Sequence, residues 1–195
     1  MTPAHPEGLR VALRVIEIFE KLGIEYHLGG SYASSIHGVP RQTQDIDLVA
    51  KLTSEQIEPL VAALVPDFYA DAEPARRALL QRSSFNVLHL ASGVKVDIFC
   101  LGDSAFDRSE FKRAKLTRLY GDASVRIRVK TAEDIVLRKL QWYRLGGETS
   151  DRQWNDVIGC LKAAARDVDY LRHWAEDLEL ADLLERALVR SQRLP

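Results

Sequence analysis

Apolar positions recur with two different periods along this chain. Over residues 7–22, Leu9, Leu13, Ile16 and Phe19 fall on one helical stripe, with Ala12 and Val15 beside it, until Gly23 stops it. At residues 24–28 the period drops to two, and Ile24, Tyr26 and Leu28 share one side of a strand. Gly29-Gly30-Ser31 breaks that strand, Ser31 caps a short helix to His37, and Gly38 ends it. A loop over 40–44 leads to a strand over 45–50. Residues 54–64 form an amphipathic helix through Ile57, Leu60, Val61 and Leu64, and residues 73–81 form a shorter one. Two alternating runs, 85–90 and 94–99, flank Ala91-Ser92-Gly93 and read as a hairpin. Residues 103–117 keep no clean period and read as irregular or weakly helical. A last strand is predicted over 125–129.

The texture changes near residue 130. Thr131-Ala-Glu-Asp134 is a capping box with Asp in place of Glu, opening a helix to about Leu145 before Gly146-Gly147. Ser150-Asp-Arg-Gln153 is a second box, opening a helix to about Ala165. A third helical stretch starts at Asp169 and breaks near Glu179. The predicted architecture is α/β (α+β). A mixed β-sheet flanked by helices spans 1–130, and a C-terminal helical region over 131–195 packs on it.

Composition narrows the function classes. The chain has 195 residues, of which 46% are hydrophobic and 28% charged, which suits a globular protein with a substantial core. Its net charge of −1 excludes a strongly basic coat for long duplex DNA. The two cysteines, Cys100 and Cys160, have neither disulfide-scaffold density nor zinc-ligand spacing. No apolar run approaches the ~18 residues that cross a bilayer. Met1 to Arg10 lacks a signal-like apolar stretch. The expectation is a cytoplasmic protein with no membrane partner.

The chemistry concentrates between Leu28 and Leu48. Gly29 and Gly30 let the backbone approach a ligand, and Ser31 places amides and a helix N-terminus where a phosphate binds. Asp45 and Asp47 are two apart on a strand, so they project from one face and can share a divalent cation. In Val94-Lys-Val-Asp-Ile-Phe99 the apolar positions occupy one face, and Lys95 and Asp97 occupy the other. Asp97 is then a third oxygen donor in a set suited to Mg²⁺, and such an acid on an apolar strand needs a partner.

The order strand, Gly-Gly-Ser, helix, loop, Asp-x-Asp, later strand acid resembles the nucleotidyltransferase fold of the DNA polymerase β superfamily. The resemblance is nearest to small bacterial AbiEii-like toxin nucleotidyltransferases, which carry Gly-Gly-Ser/Thr and then Arg-x-Thr/Ser-x-Asp-Ile-Asp. Here these stand as Gly29-Gly-Ser31 and Arg41-Gln-Thr-Gln-Asp-Ile-Asp47. It covers residues 24–100 well. The tail segments Glu133 to Leu140 and Asp151 to Asp156 also look like those relatives, less diagnostically. The resemblance implies transfer of NMP from an NTP to a hydroxyl acceptor: a protein, an RNA end such as that of tRNA, or a small molecule. Asp45 and Asp47 would hold two Mg²⁺ ions, for which Mn²⁺ can substitute, and Asp97 the catalytic one. Gly29, Gly30 and Ser31 would hold phosphates, and Lys139 would reach toward the triphosphate. It further implies a toxin or phage-defence context with an antitoxin partner.

Other residues carry weaker readings. Arg41 is a candidate phosphate contact, set against a solvated arginine, and Lys95 is a candidate for a phosphate or a carboxylate partner, set against a snorkelling surface lysine. Thr43 is a candidate to orient Asp45. His27 and His37 flank the glycine turn and read as ligand contacts or, more plainly, as packing residues. Tyr143 is a candidate stacking residue or helix packing. The basic run Arg108 to Arg118 is a solvated face or a landing strip for a phosphorylated acceptor. Two rival functions remain: a non-catalytic nucleotide-binding module or antitoxin/adaptor of the same fold, and a metal-dependent phosphohydrolase. The latter lacks a His/Asp hydrolase motif.

Overall fold

The computed structural model describes residues 7–40, 43, 45–119, 122–163 and 166–193. Its elements run α1 (Glu7–Lys21), β1 (Glu25–Leu28), α2 (Gly30–His37), β2 (Ile46–Lys51), α3 (Ser54–Leu64), β3 (Phe68–Tyr69), α4 (Ala72–Gln81), β4 (Ser84–His89) and β5 (Lys95–Cys100). They continue with α5 (Ala105–Arg113), β6 (Lys115–Leu119), β7 (Asp122–Val129), α6 (Ala132–Leu145), α7 (Asp151–Ala163), α8 (Val168–Asp177) and α9 (Ala181–Arg193). By their contacts these divide into two units: Met1–Gly29 with Thr43–Val129, and Gly30–Gln42 with Lys130–Pro195.

The first unit is built on a seven-stranded mixed sheet in the order β3-β4-β5-β2-β1-β7-β6. The pairs β2–β5 and β1–β7 are parallel and the rest antiparallel. Alternation sets the faces. Ile46, Leu48 and Ala50 of β2 and Val96, Ile98 and Cys100 of β5 are buried, and α1 lies against β1, β2 and β5. The intervening positions, Asp47 and Val49 on β2 and Lys95, Asp97 and Phe99 on β5, are only half-buried. The expected hairpin closes through Gly93, whose φ of 68° suits glycine, with Gly93 N donating to His89 O at 2.8 Å.

Two strands and one helix depart from the sequence reading. Residues 103–117 hold a regular helix, α5, whose N-terminus is a reciprocal Ser104–Asp107 capping box. Only Phe106, Glu110 and Phe111 of it are buried, too few for a visible stripe. Strands β3 and β6 lie at the two sheet edges, where exposed side chains such as Tyr69 and Leu116 blur the alternation.

The second unit is helical. Its members are α2 and α6 to α9, with α2 against α6 and α7. Residues 30–42, placed with the first part by the sequence reading, therefore group with the C-terminal helices. Helix α2 meets α7 closely: a Cβ on Gly38 would stand 2.9 Å from the backbone N of Cys160. The Thr131 cap accepts from the Asp134 amide as expected, and Tyr170 Oη donates to the buried Asp134 carboxylate at 2.6 Å, tying α8 to α6. The predicted break at Glu179 is real, with φ 58°. No described helix is long and apolar enough to cross a membrane.

Leu48 is fully buried at the middle of the sheet, so Leu48→Ala should cost about 2–5 kcal/mol in urea unfolding. Burial pushes the Cys100 thiol from 9.0 up to about 11 and the Cys160 thiol up to about 12. The unfolded chain releases these protons first, so stability should fall as pH rises through 9 and go on falling until about 11 to 12. Urea midpoints measured across that range should show the decline, and Cys160→Ser should remove part of it.

Candidate active site

Parallel pairing decides where the acids stand. The register between β2 and β5 sets Ile46 beside Val96, Asp47 beside Asp97 and Leu48 beside Ile98. Register partners share a face, so the Asp47 and Asp97 carboxylates emerge side by side, opposite the buried Ile46 and Leu48. Asp45, exposed, lies two residues before Asp47. Its main-chain oxygen accepts from the Thr43 hydroxyl at 3.3 Å, so Thr43 acts on the Asp45 backbone.

Adjacent like charges on a sheet repel, and Lys95 answers them. Its Nζ is 2.9 Å from Asp97 Oδ2. The hydrogen bond to Asp97 raises the lysine pKa; partial desolvation opposes this, and the charges of Asp97, Asp45 and Asp47 add to the rise. The ammonium therefore keeps its charge and is held by the electrostatic field of all three acids. Of the sequence readings for Lys95, the carboxylate-paired one describes its contact.

The donor chemistry fits a hard divalent cation: carboxylate oxygens on one sheet face with excess negative charge. Among the described residues, no group of three or more His, Cys, Asp or Glu is drawn close enough to hold a metal ion. The Lys95 ammonium, paired with Asp97, sets positive charge against these acids.

No protein-family model matches the sequence, and no curated protein matches it. Solved structures do. ANT(2″)-Ia in complex with adenylyl-2″-tobramycin aligns over 88% of this chain and 98% of that one, at TM-score 0.57 and 15% identity. An antigenic nucleotidyltransferase-like protein from Paracoccidioides brasiliensis aligns over 93% of this chain and 92% of that one, at TM-score 0.54 and 18% identity. The lincosamide antibiotic adenylyltransferase LnuA, lincomycin-bound, aligns over 80% of this chain and 97% of that one, at TM-score 0.52 and 14% identity. The chain has the nucleotidyltransferase fold.

Within this nucleotidyltransferase fold, the glycine turn starts beside the second acid: Gly29 N donates to Asp47 O at 2.9 Å. Gly30 adopts φ 55° and is already the first residue of α2. Ser31 therefore lies inside the first turn instead of capping it, and its carbonyl accepts from the Ser34 and Ser35 hydroxyls at 2.9 and 3.0 Å. From Gly30 onward the chain belongs to the helical unit. Arg41 lies outside the described residues.

Lys139 is neither an exposed helical lysine nor open to a ligand from the α6 surface. It is 5% exposed, with Nζ 2.8 Å from Asp156 Oδ2 and 3.0 Å from Gln153 Oε1. Asp156 of α7 is the other half of this buried pair. His27 is fully buried with its ring 5.3 Å from that of Phe111, and His37 Nε2 lies 2.8 Å from Lys130 O. Tyr143 is buried against Trp154, so the packing reading holds for it.

One residue on the acidic face escaped the sequence reading. Asn86 of β4 pairs in register with Asp97 and is exposed. The observed turn is one residue longer than Ala91-Ser92-Gly93: His89 N donates to Val94 O, and this register sets Asn86 opposite Asp97, whereas counting outward from Ala91-Ser92-Gly93 sets Val87 there.

Removing one partner of a buried ion pair strands the other charge. Asp156→Ala should therefore lower stability by about 3–5 kcal/mol, read by urea unfolding, and Lys139→Met, which strands the Asp156 carboxylate, should cost a comparable amount.

Proposed function

We propose that this chain is a metal-dependent nucleotidyltransferase that moves an NMP from an NTP to a hydroxyl on a small molecule. The observation that carries the reading is the in-register pair Asp47–Asp97 on adjacent parallel strands, with Asp45 two residues upstream. Two carboxylates side by side on one sheet face repel each other, a cost that a cationic substrate complex would relieve, and a plain binding module has no need of them. The small-molecule acceptor is supported by two similar proteins, one seen with adenylyl-2″-tobramycin and one an antibiotic adenylyltransferase.

Asp45, Asp47 and Asp97 would hold the divalent ions. When bound, Mg²⁺ would neutralise charge on the phosphates and on the attacking and leaving oxygens. The acceptor oxygen forms a bond to the α-phosphorus, the bond to the β-phosphate bridging oxygen breaks, and pyrophosphate leaves. Asp97 would accept the acceptor's proton. Lys95 would exchange its hold on Asp97 for a phosphate oxygen as the nucleotide arrives, keeping the face near neutrality. Gly30 and Ser31 would supply main-chain donors to the β- and γ-phosphates, while Gly29 N keeps its bond to Asp47 O. The resemblance to AbiEii-like toxins extends this reading to a cytoplasmic toxin with an antitoxin partner, and to protein or tRNA-end acceptors.

Incubation with labelled NTPs, Mg²⁺ and a panel of aminoglycosides, lincosamides, tRNA and lysate protein tests the reading. Labelled product should form on a small hydroxyl compound. Asp47→Asn and Asp97→Asn should each reduce it by at least ~10³-fold, about 4 kcal/mol in transition-state stabilisation, with unfolding midpoints not lowered. Tight NTP binding without transfer to any acceptor would establish the binding-module alternative. Release of NMP or phosphate without acceptor would establish a phosphohydrolase.

A further inference from the structure

A cavity of about 620 Å³ opens at the other end of the sheet, wholly within the first unit. Lys51, at the far end of β2, lines it; it is the fourth residue after Asp47, about 13 Å along the strand. The face between is filled by Val49, Phe99 and the His27–Phe111 ring pair. The cavity is therefore separate from the acids.

Its walls are cationic. Lys51, Arg82, Arg108, Lys112 and Arg128 line it against two carboxylates, Glu25 and Asp103. Lys51 is paired with Glu25 at 2.9 Å. The three arginines are held differently, each by a main-chain carbonyl: Arg82 Nη1 donates to Leu101 O at 3.4 Å, Arg128 Nη2 to Ala114 O at 3.2 Å, and Arg108 Nη1 to Asp103 O. A carbonyl fixes one nitrogen of the fork and leaves the positive charge uncompensated. The arginines are thus oriented but not neutralised. Leu52, Leu79, Leu101 and Phe111 supply apolar wall between them.

Arg82 makes the arrangement more pointed. It ends α4 at φ 51°, ψ 39°, the left-handed conformation that glycine ordinarily takes at a helix end. An arginine there carries backbone strain, and in return its guanidinium lines the cavity.

We infer that this cavity is a second binding site, for a small organic phosphate bearing at least two phosphate groups. The net excess of positive charge calls for a multiply charged anion, and the guanidinium forks match phosphate oxygens. The apolar walls suit an organic body, and the volume lies in the range of small-molecule sites, about 300–1,000 Å³. Arg108 and Lys112 of the basic run find their use here, joined by residues from five other parts of the unit. The inference does not depend on the transferase reading.

Titration calorimetry of the full chain with inorganic pyrophosphate and with ADP, in EDTA and at physiological salt, tests it. Saturable one-to-one binding of ADP is expected, with pyrophosphate weaker. Arg82→Gly should weaken binding at least tenfold while the unfolding midpoint stays level or rises, because the strain is relieved. Arg108→Gln/Lys112→Gln should weaken it similarly, and Asp97→Asn should leave it within twofold. The inference is overturned if neither probe binds, if Arg82→Gly binds like the parent chain, if Asp97→Asn abolishes binding, or if only a single-stranded RNA oligonucleotide binds.

Discussion

Setting two carboxylates abreast on neighbouring strands is unfavourable, and the rest of the acidic face follows from that constraint. The parallel register of β2 and β5 is imposed by burial: Ile46, Leu48, Val96 and Ile98 must all face α1's side of the sheet. A slip of one residue in either strand would turn that strand's aspartate into the core. The core thus dictates where the charges lie, and the charges in turn require a cation. Lys95, two residues before Asp97 and on its face, is a cation that the chain itself provides.

Much of this arrangement is legible in the amino-acid sequence. Strict alternation in Ile46 to Ala50 and in Val94 to Phe99 separates core from chemistry, and Gly93 marks the hairpin. The capping residues Thr131 and Ser150 locate α6 and α7 because caps are local chemistry, independent of tertiary context. What local pattern does not encode is who comes to lie beside whom. Lys139 and Asp156 each look like solvated helical charges, and only the packing of α6 on α7 makes them a buried pair. Helix α5 is hidden because it buries one narrow contact around Phe106 and Phe111. The Ser31 cap fails because Gly30's left-handed turn starts the helix one residue early.

The two groups of cations in the first unit are held in contrasting ways. Lys95 is bound to a carboxylate and answers charge already present on the sheet. Arg82, Arg108 and Arg128 rest on carbonyls, so their charge remains available to something outside the chain. Near-zero net charge for the whole sequence conceals this local asymmetry.

The chain's path has a practical consequence. It leaves the sheet unit after Gly29, returns at Thr43 and leaves again after Val129. No single scission can therefore release both units as contiguous polypeptides. A fragment stopped at Val129 would retain α2 without α6 and α7, stripping the cover from Ala33 and Ser34. A fragment begun at Lys130 would lack the segment whose Gly38 nestles against Cys160. Dissection by recombinant halves is closed to this architecture, and co-expression of pieces would need α2 supplied to the helical half.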